Sequence, residues 1–405
     1  MRTVTAHVGL GKLNTRALYL PKLPVADWDA VAGRPSAVVR SVSELPHVQF
    51  TTSGRAAIFL ALQALGVGSG DRVLVPTYHC PTMVSPVVAL DAETVFFPIG
   101  EDGAPLLSWF ESTDLTGVRA MLAVHYFGLP RDLSPTRALC DRLGIALIED
   151  CAHAFFGGTP GLPIGSAGDF VTASLTKFFP VEEGGCIASA RRAIPDHLLR
   201  PRDRAASVRK LFDTFETAAK FGRFRPLTPI LSLAVAGKDR LRGRPVHHTD
   251  AVVDGGSHVA RETATPVLDV DLALQEPAPV VRWIERHADR ARIVEGRRRN
   301  YGLLAELLGT VRGARVVTPD LPEGAVPYVF PLWVDHPERC YQPIRRSGVP
   351  VFCWDVLWPG VPEIPGDVGL TWSPHILQIG CHQDLREDDI RAIAERVRTI
   401  VENPE

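Results

Sequence analysis

The chain has 405 residues, which is long enough for a large core and for two domains. Its composition, 45% hydrophobic and 22% charged, lies in the ordinary globular range. The net charge of −2 gives no indication of a nucleic-acid or anionic-membrane surface. No apolar run reaches the roughly 18 to 20 residues that a membrane span requires.

The cysteines and the N-terminal segment bear on location. Seven cysteines, an odd number without zinc-type Cys-x-x-Cys spacing, indicate reduced thiols. The N-terminal stretch MRTVTAHVGLGKLNTRALYLP lacks the long apolar core and small-residue cleavage site of a secretory signal. We therefore expect a cytoplasmic protein.

An ordered alternation of helix and strand patterns follows an N-terminal arm at residues 1–47. Helices are predicted at 51–66, 85–90 and 134–144, and strands at 71–76, 93–99, 119–128, 145–150 and 168–175. The first helix has Ser53 as its expected N-cap, and Gly144 closes the third. This alternation predicts an α/β fold with a mostly parallel sheet covered by helices on both faces.

The second half of the chain has a different pattern. Residues 190–275 are rich in Arg, Pro and Gly, with a helical piece at RKLFDTFETAAKF. A long helical pattern, a strand, a loop rich in Pro, Gly and Trp, and a final amphipathic helix then cover 278–309, 328–335, 353–374 and 386–402. We predict an arm at 1–47, a large domain at 48–245 and a smaller α+β domain at 246–405.

Three chemical features fall where one site could form. Asp150 ends a predicted strand, Lys177 follows the end of another, and Ser53 and Gly54 open a helix. Ligands of open α/β sheets bind beyond the carboxyl ends of the strands, and a helix N-terminus attracts phosphate. An amine for a Schiff base, a carboxylate for a ring nitrogen and a phosphate cradle are what pyridoxal 5′-phosphate requires. The alternative is that Lys177 is an ordinary exposed lysine.

Five short motifs occur together and in order. They are SGRAAI, GDRVLVP, VHYFGLPRDL, EDCAHA and TKFFPVEEGG, all between residues 53 and 185. In these motifs the chain resembles the DegT/DnrJ/EryC1/StrS family of pyridoxal-phosphate-dependent sugar aminotransferases. That family has the aspartate-aminotransferase fold, type I, with a large domain and a smaller C-terminal domain. The resemblance is specific at 48–190 and loose at 280–400.

The resemblance implies roles for individual residues. Lys177 would form the Schiff base and then serve as general base and acid, while Asp150 would pair the pyridinium nitrogen. His153 would lie near the phenolic oxygen of the ring. The phosphate would be held at Ser53, Gly54, Arg55 and Thr172. The reaction implied is amino transfer, with glutamate as expected donor, to a keto group of a nucleotide-linked sugar or cyclitol in polysaccharide, glycoconjugate or antibiotic biosynthesis. Family members are usually homodimers.

Three departures from the family bear on this reading. Arg55 stands where the family has Thr, and it is either a phosphate or substrate clamp or a surface arginine. Cys80 occupies the position from which an aromatic residue often stacks on the ring, so Tyr78 or His79 is a candidate to cover the ring instead. The family's Gly-x-Asn-x-Arg segment is not found, and VAGKDRLRGRPVHHTD stands in roughly that region.

Alternative functions remain open at the sequence level. The missing segment leaves room for a pyridoxal-phosphate enzyme with a non-sugar substrate, or for an inactive binding or regulatory protein on the same fold. The related sugar dehydratases have a histidine in place of the lysine, so the presence of Lys177 disfavours dehydratase function. A nicotinamide oxidoreductase is disfavoured. The glycine-rich stretch GVGSGD precedes a predicted strand, whereas the glycine-rich fingerprint of dinucleotide-binding proteins joins a strand to a helix.

Three weaker constellations have structural interpretations. The histidines and aspartates at 247, 248, 250, 254 and 258 lack known zinc spacing, so a solvated loop is favoured and no metal is expected. Cys151 and His153 are predicted to point in different directions at a strand end. The tryptophans Trp354, Trp358 and Trp372 are predicted to belong to the core, with a wall of the site as the alternative.

Overall fold

A computed structural model describes residues 17–31, 40–195, 199–224 and 267–403. Three features of the sequence lie in 225–266 and thus outside the described residues. They are the histidine and aspartate cluster at 247–258, the segment VAGKDRLRGRPVHHTD and the proposed domain boundary at 245/246. Within the described ranges, no helix is both long enough and apolar enough to cross a membrane.

The central sheet has seven strands, with a short two-stranded ribbon inserted after the fifth. The sheet strands are β1 (His47–Thr51), β2 (Arg72–Pro76), β3 (Glu93–Phe97), β4 (Val118–Val124), β5 (Ala146–Asp150), β8 (Phe170–Ser174) and β9 (Gly185–Ser189), and the ribbon is β6 (Gly158–Thr159) with β7 (Leu162–Pro163). Their order is β1-β9-β8-β5-β4-β2-β3. Strands β8, β5, β4, β2 and β3 are parallel. Strand β9 pairs antiparallel with β8, and β1 pairs antiparallel with β9, so β1 runs in the same direction as the parallel strands. The predicted mostly parallel α/β sheet is confirmed.

The helices of the first half connect these strands. They are α1 (Trp28–Val31), α2 (Gly54–Ala64), α3 (Ser85–Val88), α4 (Trp109–Ser112) and α5 (Ser134–Leu143). Helix α2 packs on β8 and β9, and α5 packs on β5. The predicted ends of two helices are also confirmed, because the Ser53 hydroxyl accepts from the Ala56 N–H and Gly144 has left-handed backbone angles.

The second half is built around an antiparallel sheet. Its strands are β10 (Ala314–Val316), β11 (Val329–Val334), β12 (Val351–Phe352) and β13 (Ile376–Gly380), in the order β10-β11-β13-β12. Its helices are α6 (Arg204–Lys220), α7 (Val270–Ala273), α8 (Pro279–His287), α9 (Arg290–Leu308), α10 (Pro337–Arg346), α11 (Gly369–His375) and α12 (Glu387–Glu402). Helices α9 and α12 pack against each other.

Two predictions for this half need correction. The long helical pattern at 278–309 is two helices, because Asp289 leaves the helical conformation and its carboxylate caps α9 through the Arg292 N–H. The region 353–374, expected to be a loop, contains most of the short helix α11.

The apolar residues form two main clusters. The larger surrounds the central sheet and also includes Val281 and Ile284 of α8. The smaller packs the antiparallel sheet against α9 and α12, with Tyr301, Leu304 and Leu308 among its buried residues. The division into domains at 48 and 245 stays a prediction.

Candidate active site

Lys177 lies at the end of the short 3-10 turn Leu175–Lys177, which follows β8 directly. The residue is half-buried, and its Nζ lies 5.1 Å from the centroid of the Tyr328 ring. Burial lowers the pKa of Lys177 below its ordinary value, although the nearby Asp150 carboxylate acts in the opposite direction. This placement argues against a freely solvated surface lysine.

Asp150 ends β5, where its carboxylate is only 3% exposed. Its Oδ1 accepts from the Ala152 N–H at 2.9 Å and from the Thr172 hydroxyl at 3.4 Å, because β5 and β8 pair these two residues in register. Burial raises the pKa of Asp150, while the charges of Lys177 and His125 lower it. Among the described residues no hydrogen bond to Oδ2 is found, so this oxygen can accept from a ligand.

His153 follows β5 and is held by the main chain of another loop. Its Nδ1 accepts from the Phe127 N–H at 3.2 Å, so in the neutral ring the proton lies on Nε2. The ring centroid is 4.5 Å from that of Tyr328 and 5.1 Å from that of Trp354. Burial, with the nearby Lys177 charge, puts the pKa of His153 well below its ordinary value. His153 is therefore a neutral donor through Nε2.

The loop that holds His153 is the 3-10 turn Tyr126–Gly128, which has an unusual backbone. Phe127 has φ 64°, a left-handed conformation that costs energy in a non-glycine residue. Its carbonyl accepts from the Tyr328 N–H at 2.8 Å. A Cβ on Gly128 would lie 2.3 Å from the Tyr328 nitrogen, so only glycine fits there. This turn thus fixes His153 and Tyr328 relative to each other.

The N-terminus of α2 provides main-chain N–H groups for a phosphate. Ser53 caps the helix. Gly54 lies close to Ser174 of β8, as a Cβ on Gly54 would be only 3.3 Å from the Ser174 Cβ. The Arg55 side chain is half-buried and makes no hydrogen bond or ion pair with the described residues. A Cβ on Gly185 would lie 2.4 Å from the Ser53 carbonyl carbon, so β9 passes directly under this terminus.

The Glu-Gly-Gly sequence after Lys177 therefore has a structural basis. Gly185 permits the close approach to Ser53, and the Gly184 N–H donates to the Thr52 carbonyl at 2.8 Å. Glu183 accepts from Arg202 and from the Ala278 N–H, which ties the turn to the neighbouring chain segments.

Two of the residues predicted to hold the cofactor, Thr172 and His79, contact other side chains or main-chain groups of the protein. The Thr172 hydroxyl lies beside Asp150, and Ser174 is the β8 hydroxyl residue that lies against Gly54. His79 is stacked on Phe96, its Nδ1–H donates to the Pro76 carbonyl, and its Nε2 accepts from the Trp358 N–H.

Tyr78 is fully buried among other aromatic rings. Its ring packs on Tyr126, Trp354 and Trp372, and its hydroxyl accepts from Gln378. The aromatic ring that contacts Lys177 is instead Tyr328, which the sequence did not single out.

Three further residues in this region are partly buried against the larger apolar cluster: Cys80, Trp354 and Trp358. The Cys80 thiol is half-exposed and close enough to influence the pKa of Lys177. Trp372 is buried in the core as predicted, and Trp358 is partly buried against it. Trp354 is partly buried against the same core and also lies against His153, with 5.1 Å between the ring centroids.

Glu149 and His125 form a buried pair that the sequence analysis missed. Glu149 accepts from His125 Nε2 at 3.0 Å and from three main-chain N–H groups within residues 165–168 at 2.7–3.0 Å. Burial would raise the pKa of Glu149, but these donors outweigh it and lower the pKa. The pair holds the segment that leads into β8. The motifs VHYFG and EDCAHA contain both residues, so the signal was present.

Cys151 belongs to this buried pair and not to the Lys177 side. Its thiol is 3.7 Å from Glu149, and burial raises the pKa of Cys151 well above its ordinary value. His125, Glu149 and Cys151 offer ligand atoms within 4.8 Å of one another, but hydrogen bonds already engage the glutamate oxygens. The Cys151 and His153 side chains therefore point in different directions, as predicted.

The residues brought together fit pyridoxal phosphate. A desolvated carboxylate with a free oxygen suits a ring N–H, a neutral histidine donor suits a phenolic oxygen, and a helix N-terminus suits a phosphate. At Gly185 there is no room for a side chain beside this terminus, because a Cβ there would lie 2.6 Å from the Gly54 nitrogen.

Residues 37–217 match the model of the DegT/DnrJ/EryC1/StrS aminotransferase family. The predicted family resemblance is confirmed. The matched segment contains α2, β5, β8 and Lys177, that is, the part of the site built on the central sheet.

Two curated relatives show how far the similarity extends. A GDP-perosamine synthase of Vibrio cholerae is 33% identical over 172 residues, which cover 42% of this chain and 47% of that protein. An L-glutamine:2-deoxy-scyllo-inosose aminotransferase of Streptomyces kanamyceticus is 34% identical over 149 residues, which cover 36% of this chain and 35% of that protein. The matched part of this chain thus spans about half the length of these relatives or less.

A solved structure extends the similarity of the fold to nearly the whole chain. DesV of S. venezuelae, solved in complex with a ketimine intermediate, has a TM-score of 0.59 and 20% sequence identity. The superposition covers 90% of this chain and 87% of DesV. The chain therefore has the fold-type-I architecture of pyridoxal-phosphate-dependent transferases.

Proposed function

We propose that the protein is a pyridoxal-phosphate-dependent aminotransferase. It would take an amino group from an amino acid, with glutamate the expected donor, and transfer it to a keto group of a nucleotide-linked sugar or a cyclitol. The observation that carries the proposal is the convergence of Lys177, Asp150 and His153 at the carboxyl ends of β5 and β8, with the N-terminus of α2 packed on β8. The resemblance implies a homodimer, and the cysteine pattern and N-terminal segment indicate the cytoplasm. We include both in the proposal.

Each residue of the site has a chemical task. Bound pyridoxal phosphate would supply an electron sink that stabilises negative charge on the substrate carbon. Asp150 would hold the proton on the ring nitrogen, and His153 Nε2–H would donate to the phenolic oxygen. Ser53, Gly54 and Arg55 would hold the phosphate.

Lys177 would attach the cofactor and move the proton. Its lowered pKa increases the share of neutral amine at neutral pH, and neutral amine is the form that can attack a carbonyl or accept a proton. The Tyr328 ring lies 5.1 Å from the amine, and the His153 ring packs on Tyr328.

The names of the relatives support the acceptor class and widen the choice of donor. One relative is named for GDP-perosamine and the other for L-glutamine and 2-deoxy-scyllo-inosose. Glutamate and glutamine are therefore the first donors to test, with keto derivatives of nucleotide-linked sugars and cyclitols as acceptors.

The proposal is tested by following both halves of the transfer. The purified chain, supplied with pyridoxal phosphate, is incubated with each donor, and the 2-oxo acid formed is measured before and after addition of an acceptor panel. We expect oxo-acid formation by the wild type and by Lys220→Ala, which removes an exposed lysine, but not by Lys177→Ala. If the wild type binds the cofactor but converts no donor, the chain is a binding or regulatory protein instead.

A further inference from the structure

Arg297 of α9 is the largest fully buried side chain among the described residues. No carboxylate pairs with it there. Its Nη2 donates to the Lys177 carbonyl at 2.6 Å, its Nη1 to the Tyr328 carbonyl at 3.1 Å, and its Nε to Gln383 Oε1 at 2.8 Å. Burial lowers the pKa of Arg297 to about 10, so the guanidinium stays charged at neutral pH.

Burying this cation costs free energy of desolvation, and buried cations are normally paired with a carboxylate that offsets the cost. Here the charge is solvated mainly by neutral carbonyl groups, two of which belong to Lys177 and Tyr328. The guanidinium also lies 4.5 Å from the centroid of the Phe178 ring, a stacking contact that contributes modestly. The guanidinium of Arg297 therefore bridges the main chain of Lys177 and the main chain of Pro327 and Tyr328.

Gln383 completes the same contact from the other side. Its Nε2 donates to the Phe178 carbonyl at 2.9 Å while its Oε1 accepts from Arg297. The carbonyls of two successive residues, Lys177 and Phe178, are thus held by one buried pair. Lys177 ends a single 3-10 turn, which has no following turns to satisfy these carbonyls or to fix their direction.

Tyr328 is the second residue that the guanidinium fixes. Its N–H donates to Phe127 and its carbonyl accepts from Arg297, so its main chain is held at both ends. Its ring lies between Lys177 Nζ at 5.1 Å and the His153 ring at 4.5 Å. Arg297 thus connects the main chain of the lysine to the main chain of the aromatic residue that its amine contacts.

We propose that Arg297, together with Gln383, is a positioning residue that fixes the Lys177 amine against the face of the Tyr328 ring, beside His153. The inference rests on the role proposed for Lys177, but the geometry it concerns is a property of the chain without cofactor. An amine held in one orientation can transfer a proton without first reorganising. Arg297 acts through Lys177 and touches no reacting atom.

The chain offers a direct readout because it contains only six lysines, at positions 12, 22, 177, 210, 220 and 238. Side-chain carbon-13 labelling of lysine in the full chain, stripped of pyridoxal phosphate, gives few NMR signals, and Lys177→Arg identifies the one from Lys177. In the wild type we expect this signal to be displaced by the ring current of Tyr328 and its amine to titrate below the other lysines. Tyr328→Leu should abolish the ring-current displacement.

Arg297→Met is the decisive variant, and Tyr301→Phe is its matched control. Tyr301 lies on the same helix, is fully buried and donates its hydroxyl to the Thr318 carbonyl, and among the described residues no hydrogen bond joins its side chain to Lys177, Phe178 or Gln383. Both variants should lower the melting temperature. Only Arg297→Met should move the Lys177 signal and its titration towards those of the other lysines. In the cofactor-loaded enzyme, it should also lower kcat about tenfold or more with a smaller change in KM.

An unchanged Lys177 signal in folded Arg297→Met would overturn the inference and leave Arg297 as a purely structural residue. If Arg297→Met does not fold, Gln383→Met takes its place, because it removes the contact with the Phe178 carbonyl and keeps the guanidinium. It should shift the Lys177 signal in the same direction by less, and no shift would count against the proposal. The NMR readout needs no bound cofactor, so a failure of the proposed function is seen separately.

Discussion

The His153 side chain shows how a main-chain contact decides what a residue can do. The motif EDCAHA places this histidine beside Asp150, and the sequence predicts that much. The proton on Nε2, however, follows from the hydrogen bond that the Phe127 N–H donates to Nδ1, and Phe127 has a left-handed backbone. A sequence motif does not encode that backbone strain, so the tautomer requires the structure.

Replacements of His153 should separate hydrogen bonding from packing. His153→Gln keeps an N–H donor and should retain activity within about tenfold, whereas His153→Phe keeps the ring packing without a donor. We expect His153→Phe to lose about 10- to 100-fold in kcat, since a hydrogen bond to a charged group contributes about 1.5–3 kcal/mol. The rate of the donor half-reaction measures this, and equal rates in the two variants would contradict the assigned donor role.

His79 provides a pH-dependent test at the same scale. Burial lowers the pKa of His79 to about 4, so the folded protein keeps it neutral while the unfolded chain protonates it near 6.5. Its contribution to stability is therefore full above pH 6.5 and is lost as the pH falls towards 4, by up to about 1.4 kcal/mol per pH unit.

The comparison is between the wild type and His79→Asn, by urea unfolding between pH 4 and pH 7. The variant should be less stable at pH 7 but show a shallower decrease in the free energy of unfolding at lower pH. Parallel curves would show that His79 titrates alike in the folded and unfolded states, so that folding does not lower its pKa. His382 is also buried, with its pKa lowered to about 3. It therefore contributes to the decrease of the free energy of unfolding at low pH in both proteins.

At the scale of elements, β9 contacts the start of α2, where we propose that the phosphate binds. Gly185 has extended backbone angles that any residue could adopt, so the need for glycine comes from the Ser53 main chain 2.4 Å from its Cβ position. The sequence shows the Gly pair after Lys177, but it does not show that the Ser53 main chain lies against Gly185. Strands β1 and β9 were not predicted at all, because their sequences HVQFT and GCIAS have weak strand patterns and depend more on their pairing partners than on local propensity.

Gly185→Ala should displace the N-terminus of α2. We expect pyridoxal phosphate to bind about tenfold more weakly or worse, and the free energy of unfolding to fall by about 1–3 kcal/mol. Gly302→Ala is the control, since it has open space around its Cβ on α9 and should be neutral or slightly stabilising. Fluorescence titration with the cofactor provides the measurement, and wild-type affinity in Gly185→Ala would count against the proposed cradle.

At the scale of the whole molecule, the site joins parts of the chain that lie far apart in sequence. The residues on the central sheet come from motifs between 53 and 185, and sequence patterns reveal them because strand ends and helix starts have local signals. Arg297 and Tyr328 come from the second half, and the hydrogen bond from Arg297 to Lys177 spans 120 residues. No local signal distinguishes Arg297 from the arginines beside it, so its role appears only when α9 is packed in place.

The fold itself was largely predictable. Alternating buried strands and amphipathic helices indicated the parallel sheet, and Ser53 and Gly144 marked helix ends by simple capping chemistry. The break at Asp289 and the helix Gly369–His375 were not predicted, because both depend on tertiary packing as well as on local residues.

The central claim is that Lys177 binds pyridoxal phosphate and that a donor amine displaces it. The most direct test is the visible absorption spectrum of the purified chain supplied with the cofactor, recorded with and without L-glutamate, for the wild type, Lys177→Ala and Lys220→Ala. We expect the wild type and Lys220→Ala to show the band of lysine-bound cofactor and to lose it with glutamate, and Lys177→Ala never to form it. A wild type that binds no cofactor, or one whose spectra match those of Lys177→Ala throughout, would contradict the account.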